Sequence, residues 1–143
     1  MDVEVIRIRP AVLRQIEAHA RAASPAECCG LLIARRGRIE EAIEVQNRAA
    51  DPLRRYEIDP RDYLQALKRC RGTDALVLGA YHSHPRSAPE PSPRDLEQAF
   101  HDFLYLIAGP AGPSELLAIR AYRLAEGNFR AVALVPDPEE PQA

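Results

Sequence analysis

His82 and His84 flank a single serine and are followed by Pro85; after six further residues comes Ser92-Pro93-Arg94-Asp95. Along an extended strand, side chains two positions apart leave the same face, with β-carbons roughly 6 to 7 Å apart. Both imidazoles can therefore turn toward one ion, and Asp95 can add a carboxylate oxygen. Zinc takes two nitrogens and one oxygen at about 2 Å and keeps a fourth position for water, the open arrangement of a catalytic site. Each residue also has a plainer use. Strand-end histidines beside a proline can be polar loop residues, and Ser92 with Asp95 forms a capping box with proline at the first helical position, worth on the order of 1 kcal/mol without any metal.

The elements that must hold these groups are written in the patterning. The continuous apolar run 75–80 predicts a strand covered on both faces, hence central, that delivers the two histidines at its far end. Ser92 then opens a helix to about Asp102, with Leu96, Ala99, Phe100 and Phe103 facing the sheet. Upstream, residues 3–8 alternate apolar and charged side chains, which predicts a half-buried strand toward a sheet edge. Pro10 starts a helix with Leu13, Ile16, Glu17 and Ala20 at helical spacing, ending near Ser24-Pro25. The runs 27–34 and 39–45 around Arg35-Arg36-Gly37 read as an antiparallel hairpin. A polar surface excursion, 47–55, leads to a short strand at 56–58; Asp59-Pro60-Arg61-Asp62 then caps a helix with Tyr63, Leu67 and Cys70 on one face, ending near Gly72. Three closing strands follow at 103–108, 116–124 and 129–135, the last two joined at Glu126-Gly127-Asn128. The resulting expectation is an α/β fold over residues 1–135, a single domain with a mixed β-sheet and flanking helices, and a disordered proline-rich, acidic tail at 136–143.

Composition narrows the function. A chain of 143 residues suits one domain. Nineteen lysines and arginines against 21 acidic residues give a net charge of -2 without long single-sign runs, so no nucleic-acid footprint is present. Charged residues interrupt the apolar pattern of the N-terminus, and no run approaches membrane-spanning length; the expectation is a cytoplasmic protein without membrane contact. Three cysteines, Cys28, Cys29 and Cys70, cannot all pair within the chain and read as reduced core residues. His19 and His101 fall in predicted helices, and Arg35-Arg36 and Arg54-Arg55 read as solvated loop charge.

His82-x-His84-Pro85, six residues, Ser92-x-x-Asp95, and an upstream Glu27 before Cys28-Cys29-Gly30 together resemble the signature of the JAMM metalloproteases, or MPN-plus domains. The similarity extends in element order over roughly residues 3–135, including the stretch from Asn47 to Asp59 with its proline and tyrosine. The resemblance implies a JAMM/MPN fold similar to the cytidine-deaminase architecture and one Zn2+ per chain held by His82, His84 and Asp95. It further implies Glu27 as the general base that activates zinc-bound water and Ser92 as a donor to the tetrahedral oxyanion. Zinc ligation by Asp95 is expected to displace its reach-back to the helix cap.

The compact prokaryotic branch of that family, which the short chain resembles, implies a substrate as well. This is a ubiquitin-like sulfur-carrier protein, cleaved after its C-terminal Gly-Gly by a peptidase or isopeptidase reaction, whether to trim an extension or to release an amino acid such as cysteine. The loop 86–91 could form a wall or gate of the substrate groove. Alternatives are a non-catalytic MPN-type scaffold and a peptidase of the same family acting on cell-wall or phage-tail peptides. A deaminase is disfavoured, because its His-x-Glu and Cys-x-x-Cys zinc signature is missing from the sequence. The sequence leaves the oligomeric state open.

Overall fold

A computed structural model of the chain describes residues 3–100, 102–112 and 116–138. Its elements, in chain order, are β1 Val5–Ile8, α1 Pro10–Ala23, β2 Cys29–Arg35, β3 Arg38–Val45, α2 Pro60–Cys70, β4 Ala75–Ser83, α3 Pro93–Gln98, β5 Leu104–Pro110, β6 Leu117–Ala125 and β7 Asn128–Pro136. The strands form one mixed sheet in the order β1-β3-β2-β4-β5-β6-β7, and β1 pairs with β7 to close it into a barrel. β1 is thus not an edge strand, as its short charged pattern predicts, but the seam. It runs parallel to β3 on one side and to β7 on the other, with Val5 opposite Ala133 and Ile8 opposite Pro136.

α1 packs one stripe against one face of the sheet and leaves its other side to solvent. Val12, Ile16 and Ala20, four residues apart on one stripe, bury against Ile6, Ile8, Leu32, Ile39, Tyr81, Leu106, Ala121 and Val132, a set drawn from all seven strands. α2 lies on the opposite face of the sheet, where Ala66 and half-buried Tyr63 join Leu31, Ala80 and Tyr105. Its buried stripe passes through Ala66 and Cys70 rather than Leu67, which stays 39% exposed. Asp59 caps this helix as its sequence predicts, accepting from the Arg61 amide at 2.9 Å.

β4 is the central strand, antiparallel to β2 and parallel to β5. It is not covered throughout: Leu76 at its start is 51% exposed, and the fully buried part runs from Gly79 to Ser83. The β2–β4 register slips where Leu32 faces Gly79 but Ile33 faces Val77, leaving Leu78 as an extra residue. This bulge changes the phase of the strand. Val77 and Ala80 both face α2, while Leu78 and Tyr81 face α1. Gly79 sits at the bulge because β5 closes on it: a Cβ there would stand 1.8 Å from the Leu104 carbonyl oxygen.

α3 is shorter than its apolar spacing predicts. The chain leaves the helix at Ala99, whose ψ is 142°, and the Phe100 amide donates to the Tyr105 hydroxyl at 2.6 Å. Leu96 and Phe100 consequently stay 38% and 69% exposed instead of lying on the sheet, while Ala99 and Phe103 pack against the core. At the C-terminal end β7 takes in Pro136, and Asp137 is tied to the seam: its amide donates to Ile8 at 2.8 Å and its carboxylate pairs with Arg38 at 3.0 Å. Residues 139–143 of the expected tail, and His101, lie outside the described residues. No helix among the described residues is long and apolar enough to cross a membrane.

Candidate metal centre

β4 carries His82 and His84 past the bulge, so both side chains leave on the face that Ala80 also uses. The capping box of α3 brings Asp95 to them. Ser92 Oγ accepts from the Asp95 amide at 3.1 Å, and Asp95 Oδ2 accepts from the Ser92 amide at 2.8 Å, which pins the first helical turn. The same carboxylate faces both rings, with Oδ1 3.2 Å from His82 Nε2 and Oδ2 3.1 Å from His84 Nε2, and the two Nε2 atoms are 3.1 Å apart. The cap and the approach to the histidines coexist, with Asp95 Oδ2 shared between the Ser92 amide and His84 while Oδ1 faces His82.

His82, His84 and Asp95 are 1%, 6% and 9% exposed, and they form a group able to hold one metal ion. The donor chemistry fits a cation. His84 Nδ1 lies 2.9 Å from the Ala88 carbonyl oxygen, which can only accept, so the proton sits on Nδ1 and the Nε2 lone pair points inward. Lone pairs of nitrogen and oxygen that converge in a dry site repel unless positive charge stands among them. Two imidazoles and a carboxylate suit Zn2+ in particular.

The two histidines differ electrostatically. Burial lowers the pKa of His82, disfavouring its charged form, against the pull of Asp95. Burial acts the same way on His84, but Asp95 and the Ala88 carbonyl outweigh it, so that pKa is raised. Burial opposes the Asp95 charge as well; hydrogen bonding to both histidines overcomes it and holds the carboxyl well below its usual range.

Glu27 reaches the same region from the start of the β2 hairpin. It is buried, and desolvation pushes its pKa up to about 7, raised further by Asp95 and opposed by His84 and Arg94. Its backbone is fixed on both sides: the Glu27 amide donates to Pro52 at 2.8 Å, and its carbonyl accepts from Asn47 Nδ2 at 3.0 Å. Cys28 and Cys29, beside it, are buried free thiols; desolvation raises the pKa of both, that of Cys29 to about 12, so neither is a nucleophile at neutral pH.

Three contributors escape the sequence reading. Tyr56 stacks on His82, with ring centroids 4.2 Å apart, and shares a groove of about 650 Å³ with Leu31, Ile58, Tyr63, Phe100 and Tyr105. Ser83, the residue between the histidines, locks β4 to the hairpin: its Oγ accepts from the Cys28 amide at 2.8 Å, and its own amide donates to the Cys28 carbonyl at 3.1 Å. Asn47 organises the excursion before α2, donating to Glu27 and Arg55 carbonyls and accepting from Ala49 and Glu57 amides. A lone asparagine between two elements was the available signal for the last; nothing local marks the other two.

The family model for prokaryotic homologs of the JAB domain matches residues 9–125. The chain belongs to this family. The match bears out the resemblance to the JAMM domains, and relatives of the JAB family agree with it. A probable TtuB-protein conjugate cleaving protease of Thermus thermophilus is 36% identical over 131 residues, covering 92% of this chain and 82% of that protein. A desampylase of Haloferax volcanii is 36% identical over 107 residues, covering 73% and 77% respectively. Among solved structures, a protein of Desulfitobacterium hafniense superposes with a TM-score of 0.83 at 29% identity over 94% of each chain, and a JAB1/MPN domain protein from Archaeoglobus fulgidus with a TM-score of 0.57 at 21% identity over 91% of this chain and 99% of that one, so the α/β fold is that of the JAB1/MPN domains.

Proposed function

We propose that the chain is a zinc-dependent JAMM-type peptidase or isopeptidase that cleaves after the C-terminal Gly-Gly of a ubiquitin-like, sulfur-carrier type protein. The observation that carries this reading is the convergence of His82 Nε2, His84 Nε2 and the Asp95 carboxylate, all buried, beside a buried Glu27. Relatives named for cleaving protein conjugates support the substrate class.

In this reading His82, His84 and Asp95 hold one zinc ion. When bound, the metal supplies a Lewis acid that polarises the scissile carbonyl and lowers the pKa of water. Glu27, with a pKa near 7 in its desolvated position, takes the proton from the attacking water and later gives it to the leaving amine as the C–N bond breaks. Ser92 Oγ, half-buried at the helix start, donates to the developing oxyanion while it accepts from the Asp95 amide. The burial of the ligand cluster favours a slim glycine tail over a chain with side chains.

The test is zinc content together with cleavage of a ubiquitin-like carrier fusion. Wild type and Glu27→Ala should each hold about one zinc per chain, and the variant should lose on the order of 10² to 10⁴ in rate, the usual contribution of general acid–base catalysis. A protein without zinc, or equal activity in the variant, refutes the mechanism. A fusion with the two glycines replaced by alanine should be cleaved far more slowly; equal cleavage refutes the substrate assignment alone.

A further inference from the structure

The proline-rich segment between His84 and Ser92 does more than border a groove. The Ala88 carbonyl oxygen lies 2.9 Å from His84 Nδ1, so this segment sets the tautomer of a ligand histidine. Its grip depends on two strands far away in sequence. Tyr122 of β6 donates its hydroxyl to the Pro89 carbonyl at 2.7 Å, across the buried Pro89 ring. Gly109 of β5 lets the segment lie directly on the sheet: a Cβ at this position would stand 2.6 Å from the Ser87 carbonyl oxygen and 3.0 Å from the Pro89 nitrogen. β5 also anchors the histidine itself, since the His84 amide donates to the Ala108 carbonyl at 2.7 Å.

We propose that Tyr122 and Gly109 are positioning residues for the metal centre: they fix the 86–91 segment so that the Ala88 carbonyl keeps the His84 proton on Nδ1 and aims Nε2 at the ion. Neither residue touches the ligand cluster. They act through the peptide that His84 donates to, as outer partners of metal-ligating histidines commonly do. The inference rests on the zinc reading above, and its test separates the two.

The discriminating variant is Tyr122→Phe, which removes one hydroxyl and keeps the ring packed against Phe129. In zinc-loaded protein, competition with a chromophoric chelator should show affinity weakened about tenfold, within the range for loss of an outer-shell partner. The His84 Nδ1–H resonance, protected from exchange in wild type, should exchange faster in the variant. Gly109→Ala should weaken zinc binding further. If Tyr122→Phe folds with wild-type zinc affinity and an equally protected Nδ1–H, the proposal is overturned. A fall in affinity with the Nδ1–H protection intact also overturns it, because the loss would then be general loosening. If Gly109→Ala is insoluble, the Tyr122→Phe pair of readouts decides alone. Failure of wild type to bind zinc would instead appear in the first arm and would remove the metal reading itself, and this inference with it.

Discussion

Glu27 places a carboxyl where the metal-free protein gains nothing from its charge, and replacing it should therefore stabilise the fold in a defined pH window. Desolvation raises its pKa from an ordinary 4.5 to about 7. At about 1.4 kcal/mol for each tenfold change in proton affinity, that difference amounts to roughly 3 kcal/mol. Below pH 4.5 the carboxyl is protonated in the folded and unfolded chain alike and costs nothing. Between 4.5 and about 7 the unfolded chain releases the proton while the folded chain keeps it, so stability declines as pH rises. Above 7 both states are ionised and the cost stays constant. Glu27→Gln has nearly the same shape and no titration. Urea unfolding of wild type and variant, both stripped of metal by chelator, should show a stability difference that is flat below pH 4.5, changes by about 3 kcal/mol in favour of the variant by pH 8, and is flat beyond. His82, His84 and Asp95 titrate in both proteins, and the part of the His84 and Asp95 titration that depends on the Glu27 charge belongs to the measured difference. A difference that stays constant from pH 4 to pH 8 would refute the reasoning, because it would mean that the Glu27 carboxylate is as well solvated in the fold as in the unfolded chain.

Two other substitutions probe the scaffold and the helix start. Gly79→Ala forces a methyl to within 1.8 Å of the Leu104 carbonyl and should cost at least about 3 kcal/mol in urea unfolding, since backbone on a buried strand cannot swing aside. Ser92→Ala should split its two roles: helix-cap loss lowers stability by only about 1 kcal/mol, whereas the cleavage rate should fall on the order of 10² to 10³ with zinc content unchanged. Equal, small effects on both would leave Ser92 as a cap only.

The parts of the site that obey local rules were legible in the sequence. The strand period puts His82 and His84 on one face, and the capping spacing puts Asp95 one turn from Ser92; both features are present. What the sequence could not disclose depends on partners brought from elsewhere. Phe100 and Phe103 keep helical spacing with Leu96, yet the chain turns out of the helix because the Tyr105 hydroxyl, across a loop, captures the Phe100 amide. Tyr56 looks like an isolated aromatic until the excursion from Asn47 folds it onto His82. β1 reads as an edge because half its residues are charged or exposed, and pairing with a strand at the other end of the chain leaves no periodic trace.

The seam between β1 and β7 also orders events in time. Glu27, His82, His84 and Asp95 all precede β5, so every proposed ligand and the base leave the ribosome before the strand that completes the barrel. Val5 must wait for Ala133, 128 positions later, before β1 gains its second neighbour. Loop-closure entropy makes such a contact late in refolding as well, and a chain interrupted before Asn128 leaves β1 and β6 with open edges that invite pairing between chains. Metal ligands can thus be gathered on a nascent chain whose wall is still open, and the nine-residue strand β7 then covers the free edges of β1 and β6 together.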